Sequence, residues 1–230
     1  MKDLKSILKE CSIKEIYCDN HGAPITYVIP IYQRNYAWER DEICALIKDV
    51  HDSMDMGKTV YYIGTLVTYK RDENKYEVID GQQRLTTIYI ILRALGVHDI
   101  YNRLTYSARK ASASTIEALS GRGEKDDLGE MPDLGIKNSF DFAKAGLNEI
   151  VGLAQTDVDK FKEYFLNHVH IIHYRVPKDV DLNHYFEVMN SRGEQLEKHE
   201  IVKAKLSEQF IGDNTSMEKF SRIWEACSDM

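Results

Sequence analysis

The stretch Tyr76-Glu-Val-Ile-Asp80-Gly-Gln-Gln-Arg84-Leu-Thr-Thr87 organises the chain around its candidate site. Residues 75–79 are predicted to form a strand, Gly81 a tight turn, and residues 84–95 an apolar helix without an internal breaker. Upstream, the β-branched and aromatic residues 61–69 predict another strand, and the polar residues 70–74 connect the two. The sequence therefore predicts a hairpin that leads directly into a strand–turn–helix unit.

This strand–turn–helix unit has the chemistry of a phosphate site. The start of a helix presents backbone N–H groups and the positive end of the helix dipole, which favour an anion. Arg84 adds a planar donor fork that matches phosphate oxygens, and Asp80 is a candidate to hold Mg²⁺ or to orient water. Gln82 and Gln83 are candidates to donate to phosphate or to position a nucleophile. The sequence has no GxxxxGK[ST] motif, so this is not a P-loop. The ordinary alternative is that Asp80 caps the helix and pairs with Arg84.

A second candidate segment is Ile29-Pro-Ile-Tyr-Gln-Arg-Asn-Tyr-Ala-Trp38. Aromatic rings stack on nucleic-acid bases, and Gln and Arg side chains recognise base edges or phosphates. The alternative is structural, with the last two aromatic residues anchoring the following helix in the core. The residues assigned to a base or DNA contact in this segment are Tyr32, Tyr36 and Trp38, and those assigned to a nucleotide are Gln33 and Arg34.

A third candidate segment is Phe186-Glu-Val-Met-Asn190-Ser-Arg-Gly193-Glu-Gln-Leu196. Asn190 is predicted to end a helix, Gly193 to make a turn, and Arg192 to point outward from it. A ligand role for these residues and an ordinary helix–turn–helix connection with two capping residues are equally compatible with the pattern. Lys203, in the next predicted helix, is a further candidate contact for DNA.

Composition limits the function classes. The net charge of −7 opposes a protein that coats DNA by bulk electrostatics, although a local basic cleft remains compatible with it. The four cysteines form no CxxC pair, which indicates reduced thiols. No signal peptide and no apolar run of about 20 residues is present, so we expect a cytoplasmic protein without a membrane partner. The histidines at positions 168, 170 and 173 lack a complete ligand set, which disfavours a metal site there.

The remaining pattern predicts a helix at residues 3–10, strands at 13–18, 26–31 and 169–176, and helices at 39–52, 137–153 and 158–167. A mobile loop is predicted between residues 102 and 133, and further helices at 181–190, 198–210 and 216–227. The chain is predicted to divide into an α+β core (residues 1–100), a helical insertion with a mobile loop (101–167), a strand and helices completing the core (168–212), and the start of a truncated helical region (213–230).

Four segments in this order resemble one family, the N-terminal domain of GmrS-like proteins in GmrSD-type, modification-dependent restriction systems. The matching segments are residues 29–38, Tyr62-Ile-Gly-Thr65, residues 79–87 and residues 186–196, and the resemblance extends over residues 4–206. It implies an α+β fold of the ParB/sulfiredoxin-like type, with a small mixed sheet, flanking helices and a helical subdomain.

The resemblance also implies an activity: binding and hydrolysis of a nucleoside triphosphate with Mg²⁺, in defence against foreign and often modified DNA, together with an HNH nuclease. No HNH-like arrangement follows residue 196, so we expect no nuclease activity from this chain alone. The resulting assignment makes Asp80, Gln82, Gln83 and Arg84 catalytic, with Asp80 also a tentative Mg²⁺ ligand. The residues assigned to nucleotide binding are Gln33, Arg34, Gly81, Thr86, Asn190, Arg192 and Gly193.

Two other functions remain open from the sequence. The chain is alternatively a non-catalytic module that senses modified DNA through residues 32–38, in which case no nucleotide turnover is expected. A sulfiredoxin-like reductase would need a reactive cysteine near the phosphate site, and neither Cys11 nor Cys44 is placed for that role.

Overall fold

The computed structural model describes residues 7–18, 22–100, 102–119 and 132–178, with single residues beyond them. Its strands are β1 (Leu8–Ser12), β2 (Thr26–Ile29), β3 (Tyr61–Lys70), β4 (Lys75–Asp80), β5 (Leu104–Tyr106) and β6 (Val169–Val176). Its helices are α1 (Ile13–Ile16), α2 (Arg40–Asp55), α3 (Gln82–Ala94), α4 (Lys110–Ala118), α5 (Leu134–Ile150) and α6 (Gln155–Asn167).

The described strands form one mixed sheet in the order β1-β6-β3-β4-β2-β5. The pairs β1–β6 and β3–β4 are antiparallel, whereas β6–β3, β4–β2 and β2–β5 are parallel. The predicted hairpin is confirmed as β3–β4, and Asp80 lies opposite Val67 at the end of β4. Together with the helices, this sheet confirms the predicted α+β class. The predicted division of the chain into four parts stays a prediction.

The amino-terminal elements differ from the prediction. Residues 8–12 form an edge strand instead of continuing a helix, and residues 13–16 form one helical turn instead of a strand. The turn is stabilised by a capping box, in which the Ser12 hydroxyl accepts from the Glu15 N–H (3.3 Å) and the Glu15 carboxylate accepts from the Ser12 N–H (2.9 Å). This short-range pair outweighs the β-branched composition of the segment.

The segment predicted as a loop between residues 102 and 133 contains regular structure. Strand β5 adds to the edge of β2 in parallel, and α4 follows it within four residues. Residues 120–131 lie outside the described residues, as do nearly all residues of the helices predicted after position 180. The candidate site consequently receives side chains from a segment that the sequence left unstructured.

Among the described residues, the two faces of the sheet are covered unequally. Residues at alternate positions along the strands face opposite sides, and one face joins the helices in the larger apolar cluster, which includes the fully buried Tyr27, Leu66 and Val78. The other face carries a smaller cluster built on Tyr32, Val67, Ile79 and Val176. Helix α3 belongs to the larger cluster and is buried along most of its length. None of the described helices is long and apolar enough to cross a bilayer.

Candidate functional site

The turn between β4 and α3 depends on Gly81. Its φ of 86° lies in the left-handed region, and a Cβ at this position would stand 2.8 Å from the Thr65 carbonyl oxygen and 3.3 Å from the Leu66 Cα. Glycine is therefore needed both for the backbone conformation and for the close approach to β3. The approach coincides with an irregularity in the β3–β4 register between Val67 and Thr68.

Helix α3 begins without a side-chain cap from the described residues. Its first intrahelical bond runs from the Leu85 N–H to the Gly81 carbonyl (2.9 Å), so the amide groups that precede Leu85 have no acceptor within the helix. This end also carries the positive end of the helix dipole. Asp80 is half-buried one residue before the turn. The phosphate site at this helix start stays a prediction.

Arg84 leaves the first turn of α3 and reaches β3. Its Nη1 donates to the Thr65 carbonyl at 2.5 Å, and the half-buried guanidinium lies against Gly64. A Cβ at Gly64, whose φ is 112°, would come within 3.0 Å of the Arg84 Cζ. This contact gives a physical reason for the glycine in the Tyr62-Ile-Gly-Thr65 segment, which makes room for the arginine. The other Arg84 donors make no hydrogen bond to the described residues.

Gln82 and Gln83 point into the protein, with 3% and 9% of their surface exposed. The Gln82 amide donates to the Tyr106 hydroxyl (3.4 Å), and its oxygen accepts from the Gln83 amide (2.9 Å). Gln83 also donates to the Asn35 carbonyl (2.8 Å) and accepts from the Ala37 N–H (2.9 Å). Both amides therefore connect α3 to neighbouring backbone and side chains instead of facing solvent.

The segment of residues 31–38 packs beside this turn. The Gln33 amide is buried and donates to the Ile79 carbonyl at 2.6 Å, which places residue 33 against the end of β4. Arg34 is exposed and makes no hydrogen bond or ion pair to the described residues. The structure thus brings Gln33 and the backbone around Arg34 next to the 80–84 turn.

The aromatic side chains of the same segment are mostly enclosed. Tyr32 is buried and donates to the Glu77 carboxylate (2.8 Å), and Tyr36 is buried with its hydroxyl 2.8 Å from that of Thr87. Burial raises the pKa of Tyr36 to about 12. Trp38 is half-buried against the larger apolar cluster. A ring that stacks on a base needs an exposed face, so the base or DNA contact proposed for these three residues stays a prediction.

The remaining assigned residues lie apart from the turn or outside the described residues. Thr86 is fully buried, and its hydroxyl lies 2.9 Å from that of Tyr106. The predicted nucleotide-binding residues in the third segment, and one candidate DNA contact, are outside the described residues: Asn190, Arg192, Gly193 and Lys203.

Arg109 is a residue of this region that the sequence analysis missed. Only 8% of its surface is exposed, and its Nη2 donates to the carbonyls of Gln33 (2.5 Å) and Ile31 (3.3 Å). Ala108, just before it, has a φ of 58°, so the backbone bends sharply where β5 leads into α4. The sequence predicts a loop at this position, so no local pattern singles out Arg109.

The donor set fits magnesium only in association with a phosphate. The described residues contain no group of three His, Cys, Asp or Glu side chains placed to hold an ion. Mg²⁺ is commonly bound through one or two carboxylates together with phosphates and water, and Asp80 would supply one such carboxylate. Burial raises the pKa of the Cys11 and Cys44 thiols, which disfavours a reactive thiolate and the reductase alternative.

A family described as the GmrSD restriction endonuclease, N-terminal domain, matches residues 13–207 of the 230-residue chain. The matched range contains every residue assigned to the candidate site. No curated protein matches the chain.

Proposed function

The chain belongs to the GmrSD restriction endonuclease N-terminal domain family, and from this we propose that it binds and hydrolyses a nucleoside triphosphate at the 80–84 turn. Membership places the protein in restriction, in which this domain acts together with a nuclease and DNA. The family assignment does not specify a nucleotide reaction. We propose that reaction from the geometry of the turn.

One observation carries the proposal. The uncapped start of α3 and the half-buried guanidinium of Arg84 occupy the same corner of the molecule, and Arg84 uses one of its five donors on Thr65. Backbone amides and an arginine fork are the two kinds of donor that recognise phosphate. The two glycines, Gly64 and Gly81, let the Arg84 guanidinium and strand β3 pack closely around the turn, which fixes the position of both kinds of donor.

The residues of the turn divide into two roles. Arg84 and the first amides of α3 face the phosphates and offset the negative charge that develops on them during transfer to water. Asp80 would hold Mg²⁺ with the phosphate oxygens, and that ion, when bound, neutralises part of the phosphate charge. Gln82 and Gln83 hold the shape of the site through their buried hydrogen bonds.

The nucleotide site serves an HNH nuclease domain or subunit. In this arrangement the triphosphate and its hydrolysis products favour different states of the domain, and the HNH nuclease partner responds to that difference when it cuts DNA. The alternative of a non-catalytic module for modified DNA predicts no turnover in the parent protein. The two functions are therefore separated by the nucleotide measurement itself.

The proposal is tested by calorimetry with Mg²⁺ and each of four nucleoside triphosphates, on the parent and on Arg84→Ala. A hydrogen bond to a charged group contributes about 1.5–3 kcal/mol, so the dissociation constant should rise roughly ten- to hundredfold in the variant. Phosphate release, measured on the same samples, should fall at least as strongly.

The matched control is Arg40→Ala, which removes an exposed arginine that pairs with Glu149 on α5. It should bind and hydrolyse like the parent. Absence of triphosphate binding by the parent, or equal binding by the parent and Arg84→Ala, would overturn the proposed site.

A further inference from the structure

We propose that Arg109 is a positioning residue for Arg34: it anchors residues 31–33 from beneath and so holds the exposed Arg34 beside the 80–84 turn. This inference rests on the proposed nucleotide site. If Arg109 has this role, the segment between β5 and α4 contributes to the site, although its sequence predicted a loop.

The first step is the burial of the Arg109 guanidinium. An arginine remains charged at all physiological pH values, and burying it is costly unless its donors are satisfied. Here the carbonyls of Gln33 and Ile31 both accept from the same nitrogen, at 2.5 and 3.3 Å. Two carbonyls that converge on one cation fix the backbone that carries them, so residues 31–33 are held from the inner side.

The second step is an independent anchor on the other side of Arg34. Gln83 contacts the backbone at both Asn35 and Ala37, with distances of 2.8 and 2.9 Å. The Gln33 side chain adds a third connection, to the Ile79 carbonyl at the end of β4. The backbone is therefore tied down at residue 33 and again at residue 35.

The third step is the contrast between this backbone and the side chain of Arg34. Arg34 is exposed and has no hydrogen-bond partner among the described residues. Its backbone is ordered before any ligand arrives, whereas its guanidinium remains available. Preorganisation of this kind lowers the entropic cost of binding, and its loss should weaken nucleotide binding through Arg34 specifically.

The experiment is a double-mutant cycle on Arg109→Lys and Arg34→Ala, with calorimetric binding of the preferred triphosphate and Mg²⁺. Lysine keeps the charge, but its flexible, strongly hydrated ammonium does not hold the fixed donor geometry with which the guanidinium Nη2 meets the two carbonyls. Arg109→Lys should weaken binding about three- to tenfold in the parent and less than about twofold in the Arg34→Ala background. Equal factors in both backgrounds would mean a merely structural role and overturn the inference.

The control is Arg93→Lys, because Arg93 is also a buried arginine that donates to backbone carbonyls, at Val97 and Leu119. It should lower the unfolding temperature while nucleotide affinity stays within about twofold of the parent. If Arg109→Lys does not fold, the same cycle is run with Arg109→Gln, which retains one amide donor without the charge.

Hydrogen exchange without nucleotide separates this inference from the proposed function. In Arg109→Lys, amides of residues 33–37 should exchange faster, above all the Gln33 N–H, which donates to the Pro30 carbonyl (3.2 Å), while amides in α2 and α6 remain as in the parent. Unchanged exchange at residues 33–37 would overturn the positioning role. Failure of the parent to bind any triphosphate would overturn the proposed function alone.

Discussion

The two ends of α3 carry similar residues in different arrangements. Each end has a glycine with positive φ, 86° at Gly81 and 71° at Gly96, and each has an arginine that donates to backbone carbonyls. Arg93 is 6% exposed and donates to Val97 once and to Leu119 twice. Arg84 is half-buried and donates once, to Thr65.

This difference follows the direction of the helix dipole. A cation near the carboxyl end of a helix stabilises it and satisfies carbonyls there, and Arg93 does both while it ties α3 to the end of α4. At the amino end a cation works against the dipole, unless an anion lies between the two. On the proposed function, the amino end of α3 receives the negative ligand, whereas the carboxyl end is closed by its own arginine.

The glycines provide the largest expected effect. A Cβ at Gly96 meets no atom within 4 Å, so Gly96→Ala adds only the strain of a left-handed alanine, about 1 kcal/mol. A Cβ at Gly81 meets the Thr65 carbonyl at 2.8 Å, so Gly81→Ala combines this strain with a backbone clash and should cost about 3 kcal/mol or more. Urea denaturation followed by circular dichroism measures both. Equal losses at the two positions would contradict the close approach of the turn to β3.

The second effect concerns Tyr106, whose hydroxyl lies beneath the amino end of α3. Burial raises the pKa of Tyr106 to about 12, against about 10 for an unfolded tyrosine. Between these values the unfolded state releases a proton that the folded state retains, so stability falls as the pH rises, by about 1.4 kcal/mol per unit.

Unfolding curves of the parent and Tyr106→Phe, measured from pH 7 to 11, test this effect. The variant should lose about 1 kcal/mol less than the parent between pH 10 and 11, because it lacks the destabilisation that comes from ionisation of Tyr106 in the unfolded state. The two proteins should change in parallel between pH 7 and 9, which serves as the internal control. An identical alkaline slope would show that Tyr106 is not enclosed as described.

The elements that the sequence predicted well are those with a strong local pattern. The β3–β4 hairpin, the glycine turn and α3 follow from β-branched runs, one glycine and an unbroken apolar stretch. The edge strand β1 could not be predicted in this way, because it depends on pairing with β6, about 160 residues away in the chain. Its register is set by the folded sheet, so the sequence of residues 8–12 shows no periodicity that would predict a strand.

In the candidate site, side-chain orientation was likewise not predictable from local sequence. The sequence identified residues 80–84 by residue type, but it could not show which of them face inward. Helix α3 is buried on nearly all sides, its polar residues included, so hydrophobic periodicity does not distinguish Gln83 from Arg84. Arg109 was missed because its acceptors, Ile31 and Gln33, are 78 and 76 residues away, a distance over which composition carries no information.

The smallest expected effect concerns Thr86, on the buried side of the amino end of α3, where we expect side chains to stabilise the fold without contacting the nucleotide. Thr86 is fully buried, and its hydroxyl lies 2.9 Å from that of Tyr106. Thr86→Val keeps the shape and removes this hydrogen bond, so it should cost about 1 kcal/mol of stability, as an ordinary buried hydrogen bond does. Because the side chain lies inside the core, nucleotide affinity should remain within about twofold of the parent.

Arg84→Ala should show the opposite pattern, with weaker binding and nearly unchanged stability. A large loss of affinity in Thr86→Val would instead support the nucleotide contact that the sequence suggested for this residue, and would place the ligand deeper under α3 than Arg84 alone indicates.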